Sequence, residues 1–376
     1  MKSSWQKLSL DAISIINPSE TLKKGEIAKK IPMDVIVPFQ RDVPYYELAE
    51  FNGGTKFRNG DTIMARITPC LENGKIAFVD TLNNNEVGFG STEYIVFRAI
   101  KGISNENFLY YLICSPIVRE PAIKSMVGSS GRQRVQTDVL RKLNIYVPPV
   151  EEQEKIGGLL KSIDDKISIN RKINNNLQQQ ASCLFDSWFI DLDPFGSSIS
   201  TDWVDAVFGD IADIGSGKRP PNKNDKPTVE ATVPIVGAAS IMGYTTEANH
   251  SDKILVTGRV GTHGVIQRFN SPCWTSDNTL VVTSPYYEYV YQILKRIDYS
   301  AMNRGSTQPL ITQGDLSKVS VILPSETVLN EFENIVGALM AQVAANNLEV
   351  AKLSALRDAL LPKLMSGEID VSNIEI

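Results

Sequence analysis

Residues 148–194 read PPVEEQEKIGGLLKSIDDKISINRKINNNLQQQASCLFDSWFIDLDP, and their reading decides the fold. Pro148-Pro149 stand at the entrance, Glu151, Glu152 and Glu154 fall in the first turns, and Asp193-Pro194 close the stretch. Proline suits a helix entrance, where its missing N–H is not needed. Acids favour the positive end of the helix dipole, and a proline past the exit stops the helix. One long helix is predicted. Within it Ile156, Ile163, Asn170, Leu177 and Leu184 recur every seven residues, and Leu160, Ile167, Asn174, Ala181 and Trp188 follow four residues behind. An apolar seam sustained in this way asks for a partner helix.

The same chain supplies one. Adding 176 to the first row gives Phe332, Leu339, Asn346, Leu353 and Leu360, and the second row becomes Val336, Val343, Val350, Arg357 and Leu364. Asn170 lands on Asn346. Both lie near the middle of their helices, so an antiparallel pairing centred there sets two amides opposite each other, where a hydrogen bond fixes register at some cost in stability. A helix of about 40 residues spans ~60 Å, longer than a small domain needs.

A length of 376 residues suggests two or three domains. With 42% hydrophobic and 22% charged residues the composition is that of an ordinary folded protein. No apolar run reaches the ~18 residues of a membrane span, and Met1-Lys2-Ser3-Ser4-Trp5 lacks a signal core, so a cytoplasmic location is expected. Cys70, Cys114, Cys183 and Cys273 show neither metal-ligand nor disulfide spacing. The net charge of −5 is unevenly spread: residues 1–150 carry 19 Lys+Arg against 15 Asp+Glu, whereas residues 325–376 carry 3 against 8. Acid concentrates in the helices, which leaves the other segments for any nucleic-acid surface.

Those segments repeat. In residues 1–150, Thr62–Ala65, Ile76–Val79 and Tyr94–Phe97 are bounded by Gly, Asn and Asp, as strands are. Asn107–Ile113 and Ser115–Met126 look helical, and a Gly128–Gly131 loop precedes a strand ending at Val147-Pro148. In residues 201–324, Trp203–Gly217 resembles Trp5–Ile15, and Ile254–Thr257, Val265-Ile266 and Thr279–Val282 match the three strands. Arg304–Gln308 replaces the Gly/Ser loop and Ser320–Pro324 the exit strand. The offset drifts from about 199 to 181 and settles at 176 along the helix, as expected of variable loops on a fixed frame. The expected architecture is α+β with an internal pseudo-two-fold repeat. Two α/β domains (1–147 and 197–324) are separated by two long antiparallel coiled-coil helices (148–196 and 325–376).

Catalytic motifs are scarce. His250 and His263 have no ligands arranged around them, so no metal site is expected. Gly215-Ser216-Gly217-Lys218 departs from a phosphate loop, with Ala212 for the first Gly and Arg219 for Ser/Thr. Asp61, Glu72 and Lys75 approach a nuclease pattern, but Asn73-Gly74 reads better as a turn between strands. No catalytic residue is assigned and no cofactor is expected on this chain. Polar loops recur in register instead. The candidate DNA-binding residues are Arg66, Thr68, Lys75, Ser91, Thr92, Arg132, Gln133 and Arg134 in the first repeat. In the second they are Lys218, Arg219, Arg259, Thr262, His263, Asn278, Arg304 and Gln308. Arg and Lys suit guanine edges or phosphates, and Asn and Gln suit adenine.

The segments Pro148–Ile156, Ile163–Ile167, Asn170–Asn174 and Leu184–Pro194 resemble the central conserved region of type I restriction–modification specificity subunits, and Leu360–Ile369 resembles that family's C-terminal conserved region. The resemblance implies that each globular segment is a target recognition domain reading one half of a bipartite site in double-stranded DNA. It implies that the helices set the spacing and dock two methyltransferase (modification) subunits. It further implies restriction (translocase/endonuclease) subunits, with S-adenosylmethionine, ATP and Mg on these partners. Serving an orphan methyltransferase without restriction is an open alternative. So is a coiled-coil scaffold between two protein-binding domains, which predicts no salt-dependent DNA affinity.

Overall fold

The computed structural model describes residues 4–196, 201–302 and 310–372. Two helices dominate it, Val150–Phe189 and Glu326–Met365, each of 40 residues. The chain divides into two compact units, Met1–Lys172 with Asn346–Ile376, and Ile173–Ala345. The division falls in the middle of each long helix, so each unit holds one globular domain, the start of the helix that follows it and the end of the other helix.

In the first unit, Gln6–Ser9 pairs antiparallel with Asn144–Val147, Lys7 opposite Tyr146, which brings the domain's entry beside its exit into the long helix. A four-stranded antiparallel sheet runs in the order Ser14–Ile16, Tyr94–Ala99, Thr62–Ala65, Ile76–Phe78. All four residues of Thr62–Ala65 are buried, as both neighbours and both faces of a central strand require. A second sheet runs Glu47–Glu50, Ile27–Ile31, Gly88–Gly90, Thr55–Phe57. The helix Glu106–Cys114 opens at Asn105, whose side chain accepts from the backbone N–H groups of Asn107 and Phe108. Its buried Phe108, Leu109 and Leu112 meet Ile156 and Leu160 of the first long helix and Leu364 and Met365 of the second in one core. Trp5 joins this core, and Gly367, at φ +73°, turns the chain so close to it that a Cβ would stand 3.2 Å from the indole. Val371, beyond that turn, is fully buried.

The second unit repeats this plan. Val204–Val207 pairs with Ser320–Leu323, and a four-stranded sheet runs Asp213–Ser216, Thr279–Thr283, Ile254–Gly258, Gln267–Phe269. The other sheet keeps three strands, Ile241–Thr245, Val233–Val236 and Trp274–Thr275, with the same parallel pairing of its middle strand as in the first unit. The strand expected at Val265-Ile266 lies instead at Gln267–Phe269, with Phe269 opposite Ile254. Gly261 and Gly264, both at positive φ, hold the preceding residues in a turn. An aromatic cluster closes this unit: Phe189 stands 5.0 Å from Phe332 and 4.8 Å from Tyr289, and Phe185 lies 6.1 Å from Phe332.

The helices pack together in both units. In the first, Asp164 meets Arg357 at 2.7 Å and Asn170 donates to Glu349 Oε2 at 2.8 Å, so numbers rise along one helix as they fall along the other. Asn170 and Asn346 are both buried, near the middle of the pair as expected. The register contact that Asn170 makes is with Glu349, one turn past Asn346, and Lys166 lies 3.6 Å from the same carboxylate. Ile156, Ile163, Leu160 and Ile167 fill the seam, whereas Leu353 and Leu360 are half-buried. Arg357 occupies a seam position as a charge. Asp164, itself buried, answers it and also accepts from Tyr111 Oη at 2.7 Å. In the second unit Ala181, Phe185 and Phe189, four residues apart, take the centre beside Phe332, Val336 and Val343, and Leu177, Leu184 and Leu339 pack at its edge. A straight helix drifts ~20° per heptad against a seven-residue repeat. Here the helix also faces a globular domain, so the strip widens beyond a two-row seam.

Candidate nucleic-acid interface

The polar loops of the first unit converge at one end of its main sheet, because Thr62–Ala65 ends where the antiparallel Tyr94–Ala99 begins. The backbone ties them together. Arg66 N donates to Glu93 O at 2.9 Å, Val135 N to Arg66 O at 2.8 Å, and Thr68 N to Gln133 O at 3.0 Å. Ile67 and Val127 both bridge to Arg134. Arg66, Thr68, Ser91, Thr92, Arg132, Gln133 and Arg134 are therefore neighbours on one surface. Lys75 is used otherwise: its Nζ donates to the Met33 carbonyl at 2.8 Å, and the residue is half-buried.

At the centre sits a carboxylate. Arg134 grips Glu93 through Nε, 3.0 Å from each oxygen, and through Nη2 at 2.7 Å, and Arg66 Nε stands 3.6 Å from Oε2. The Arg134 hydrogen bonds, with the charges of both arginines, hold the Glu93 carboxyl below its ordinary range. Arg66 Nε is shielded from solvent and makes no hydrogen bond. Glu93 was absent from the candidates read off the sequence, although it ends the loop Ser91-Thr92-Glu93; its partners stand 27 and 41 residues away. Arg132 and Thr92 are exposed.

The second unit repeats the backbone frame with other side chains. Arg259 N donates to Asn278 O at 2.8 Å, Ile311 N to Arg259 O at 3.0 Å, and Val260 bridges to Leu310. Arg259 thus takes the place of Arg66, Asn278 that of Glu93 and Leu310 that of Arg134. Lys218 joins through its N–H to Thr275 O at 2.9 Å and its carbonyl, which accepts from Trp274 Nε1 at 2.7 Å. Gly217 makes this approach possible, since a Cβ there would stand 2.0 Å from Ser276 O. Lys218, Arg219, Thr262 and Asn278 are exposed. His263 turns inward, its Nδ1 2.9 Å from the Gly258 carbonyl. Arg304 and Gln308 lie outside the described residues.

Asp61 and Lys75, weighed above for a nuclease pattern, are taken up in contacts within the domain. Asp61 is fully buried, holds Arg98 with both oxygens at 2.7 Å and accepts from Arg58 N. Burial raises its pKa despite that arginine. Among the described residues no group of His, Cys, Asp and Glu is placed to hold a metal ion, and no helix is long and apolar enough to cross a membrane.

Comparison with known proteins agrees with the duplicated frame. Residues 2–179 and 200–349 match the type I restriction modification DNA specificity domain. The chain is 26% identical over 311 residues to the specificity subunit of the type I restriction enzyme MjaIX of Methanocaldococcus jannaschii, covering 73% of this chain and 71% of that one. With the HindI specificity subunit of Haemophilus influenzae it shares 23% over 405 residues, 83% and 87% of the two chains. The crystal structure of the type I restriction–modification S subunit from M. genitalium shares the fold, with a TM-score of 0.59 and 17% identity over 96% of both chains. Two matched domains, two long helices and a fold common to an S subunit place the chain in one family: it belongs to the type I restriction–modification DNA specificity subunits.

Proposed function

We propose that this chain reads a split sequence in double-stranded DNA, one half through the loops around Arg66 and Arg134, the other through those around Arg259, Asn278 and Lys218. The observation that carries this is the duplicated backbone frame, which presents polar and cationic side chains at the same end of the same sheet in both units. The long helices act as the spacer between the half-sites and as the docking surface for two modification subunits; their acidic character suits protein partners better than DNA. Restriction subunits join that complex. S-adenosylmethionine, ATP and Mg belong to these partners, and this chain contributes recognition without catalysis, in the cytoplasm.

The test is co-expression with the modification subunit of the same system and single-molecule sequencing of methylated DNA. A two-part motif that vanishes when this chain is deleted supports the reading. Binding that is independent of salt, or methylation without a split motif, contradicts it, because phosphate contacts make affinity fall steeply with salt.

A further inference from the structure

A carboxylate at the centre of a surface meant for DNA is unexpected, since it repels phosphates. Glu93 therefore needs a positive reason to be there. Its geometry gives one. Arg134 spends Nε and one Nη2 hydrogen on Glu93, which leaves its Nη1 hydrogens and the outer Nη2 hydrogen free in a fixed plane. The side chain is 42% exposed. A guanidinium held in this way is pre-organised for the O6 and N7 acceptors of guanine, the commonest specific contact of arginine. Arg66 adds a second cation 3.6 Å from the carboxylate. In the second unit the frame is the same, yet Asn278 stands for Glu93 and Leu310 for Arg134. Among the described residues no arginine is braced by a carboxylate at that place. The exposed Asn278 amide offers a donor and an acceptor, the pattern that matches adenine N7 and N6.

Building on the DNA reading proposed above, we propose that the position held by Glu93 in one unit and Asn278 in the other sets the base preference of each half-site. In the first, Glu93 is a positioning residue that braces Arg134 to read a guanine; in the second, Asn278 itself reads an adenine.

The experiment is selection from a randomised duplex library by the full chain with its modification subunits, comparing wild type with Glu93→Ala, Glu93→Gln, Arg134→Ala and Asn278→Ala. Expected is a loss of about tenfold or more in preference for one guanine of the first half-site in Glu93→Ala and Arg134→Ala. Glu93→Gln, which keeps an acceptor for Arg134, loses less. Non-specific affinity in Glu93→Ala stays level or rises, because a negative charge has left the surface; a merely structural role would lower it. Asn278→Ala relaxes one adenine of the second half only. The unmutated half-site reports in each case that the protein is folded. Unchanged base preferences, or uniform weakening across all sequences, overturn this assignment while leaving the split motif intact. Absence of any split motif from the wild type overturns the DNA reading itself.

Discussion

At the scale of single residues, buried charges are answered within their own unit. Arg357 and Asp164 are 11% and 5% exposed and 2.7 Å apart, with Tyr111 completing the chain. Removing Arg357 leaves Asp164 buried with only the Tyr111 hydroxyl, so Arg357→Ala should destabilise the first unit by about 3–5 kcal/mol; Asp164→Ala should cost less, because Arg357 keeps Asp358 at 2.8 Å. Denaturant-dependent hydrogen exchange measures this, and a loss below ~1 kcal/mol would show the pair to be solvent-relieved. Glu93 gives a pH dependence of known sign. Its folded pKa lies below the ordinary 4.5, so the clasp's contribution is fully present above that value and is lost as pH falls through the lower folded one. NMR titration of the carboxyl should show the depressed midpoint, and Arg134→Ala should return it toward the ordinary value. A midpoint unchanged by Arg134→Ala would place the cause elsewhere. The loops carrying Arg66, Thr92 and Arg132 were legible in the sequence through their turn residues. The Glu93 clasp was not, because a partner 41 residues away is brought near only by sheet register.

At the scale of elements, the long helices were the most legible part. Proline and acids at the start, and seven-residue spacing along the seam, are local signals written many times over. The seam departs from that pattern where tertiary surroundings intervene: Arg357 enters as a charge because Asp164 waits opposite, and Ala181, Phe185 and Phe189 form a wider strip against a domain. Asn170→Leu with Asn346→Leu should raise the denaturation midpoint and loosen register, because apolar contact replaces a polar pin and frees Glu349 from its amide partner. Spin-label distances across the pair should broaden. If the double variant unfolds, the asparagines do more than fix register. The strand misplaced at Val265-Ile266 shows the opposite limit: two apolar residues carry little periodicity, and the positive-φ Gly264 beside them decides the turn.

At the scale of the whole molecule, duplication explains why one unit's start is finished by the other helix's end. Trp5, Leu364, Met365 and Val371 share a core in the first unit, as Trp203, Phe185, Phe189 and Phe332 do in the second. Fold class and repeat could be read from the chain because the 176-residue offset holds along the helices; the offset drifts in the domains, yet the polar loops could still be matched, and the hydrogen bonds put Asn278 at the place of Glu93. In the proposed function the helices measure the gap between two half-sites. Inserting one heptad into each helix, in matching places, lengthens the pair by about 10 Å, roughly three base pairs of DNA. Methylation sequencing of cells carrying the wild type and this variant is the most direct test. The expected result is the same two half-sites with a gap longer by about three base pairs. An unchanged gap in a variant that still methylates would contradict the role of the helices as the spacer.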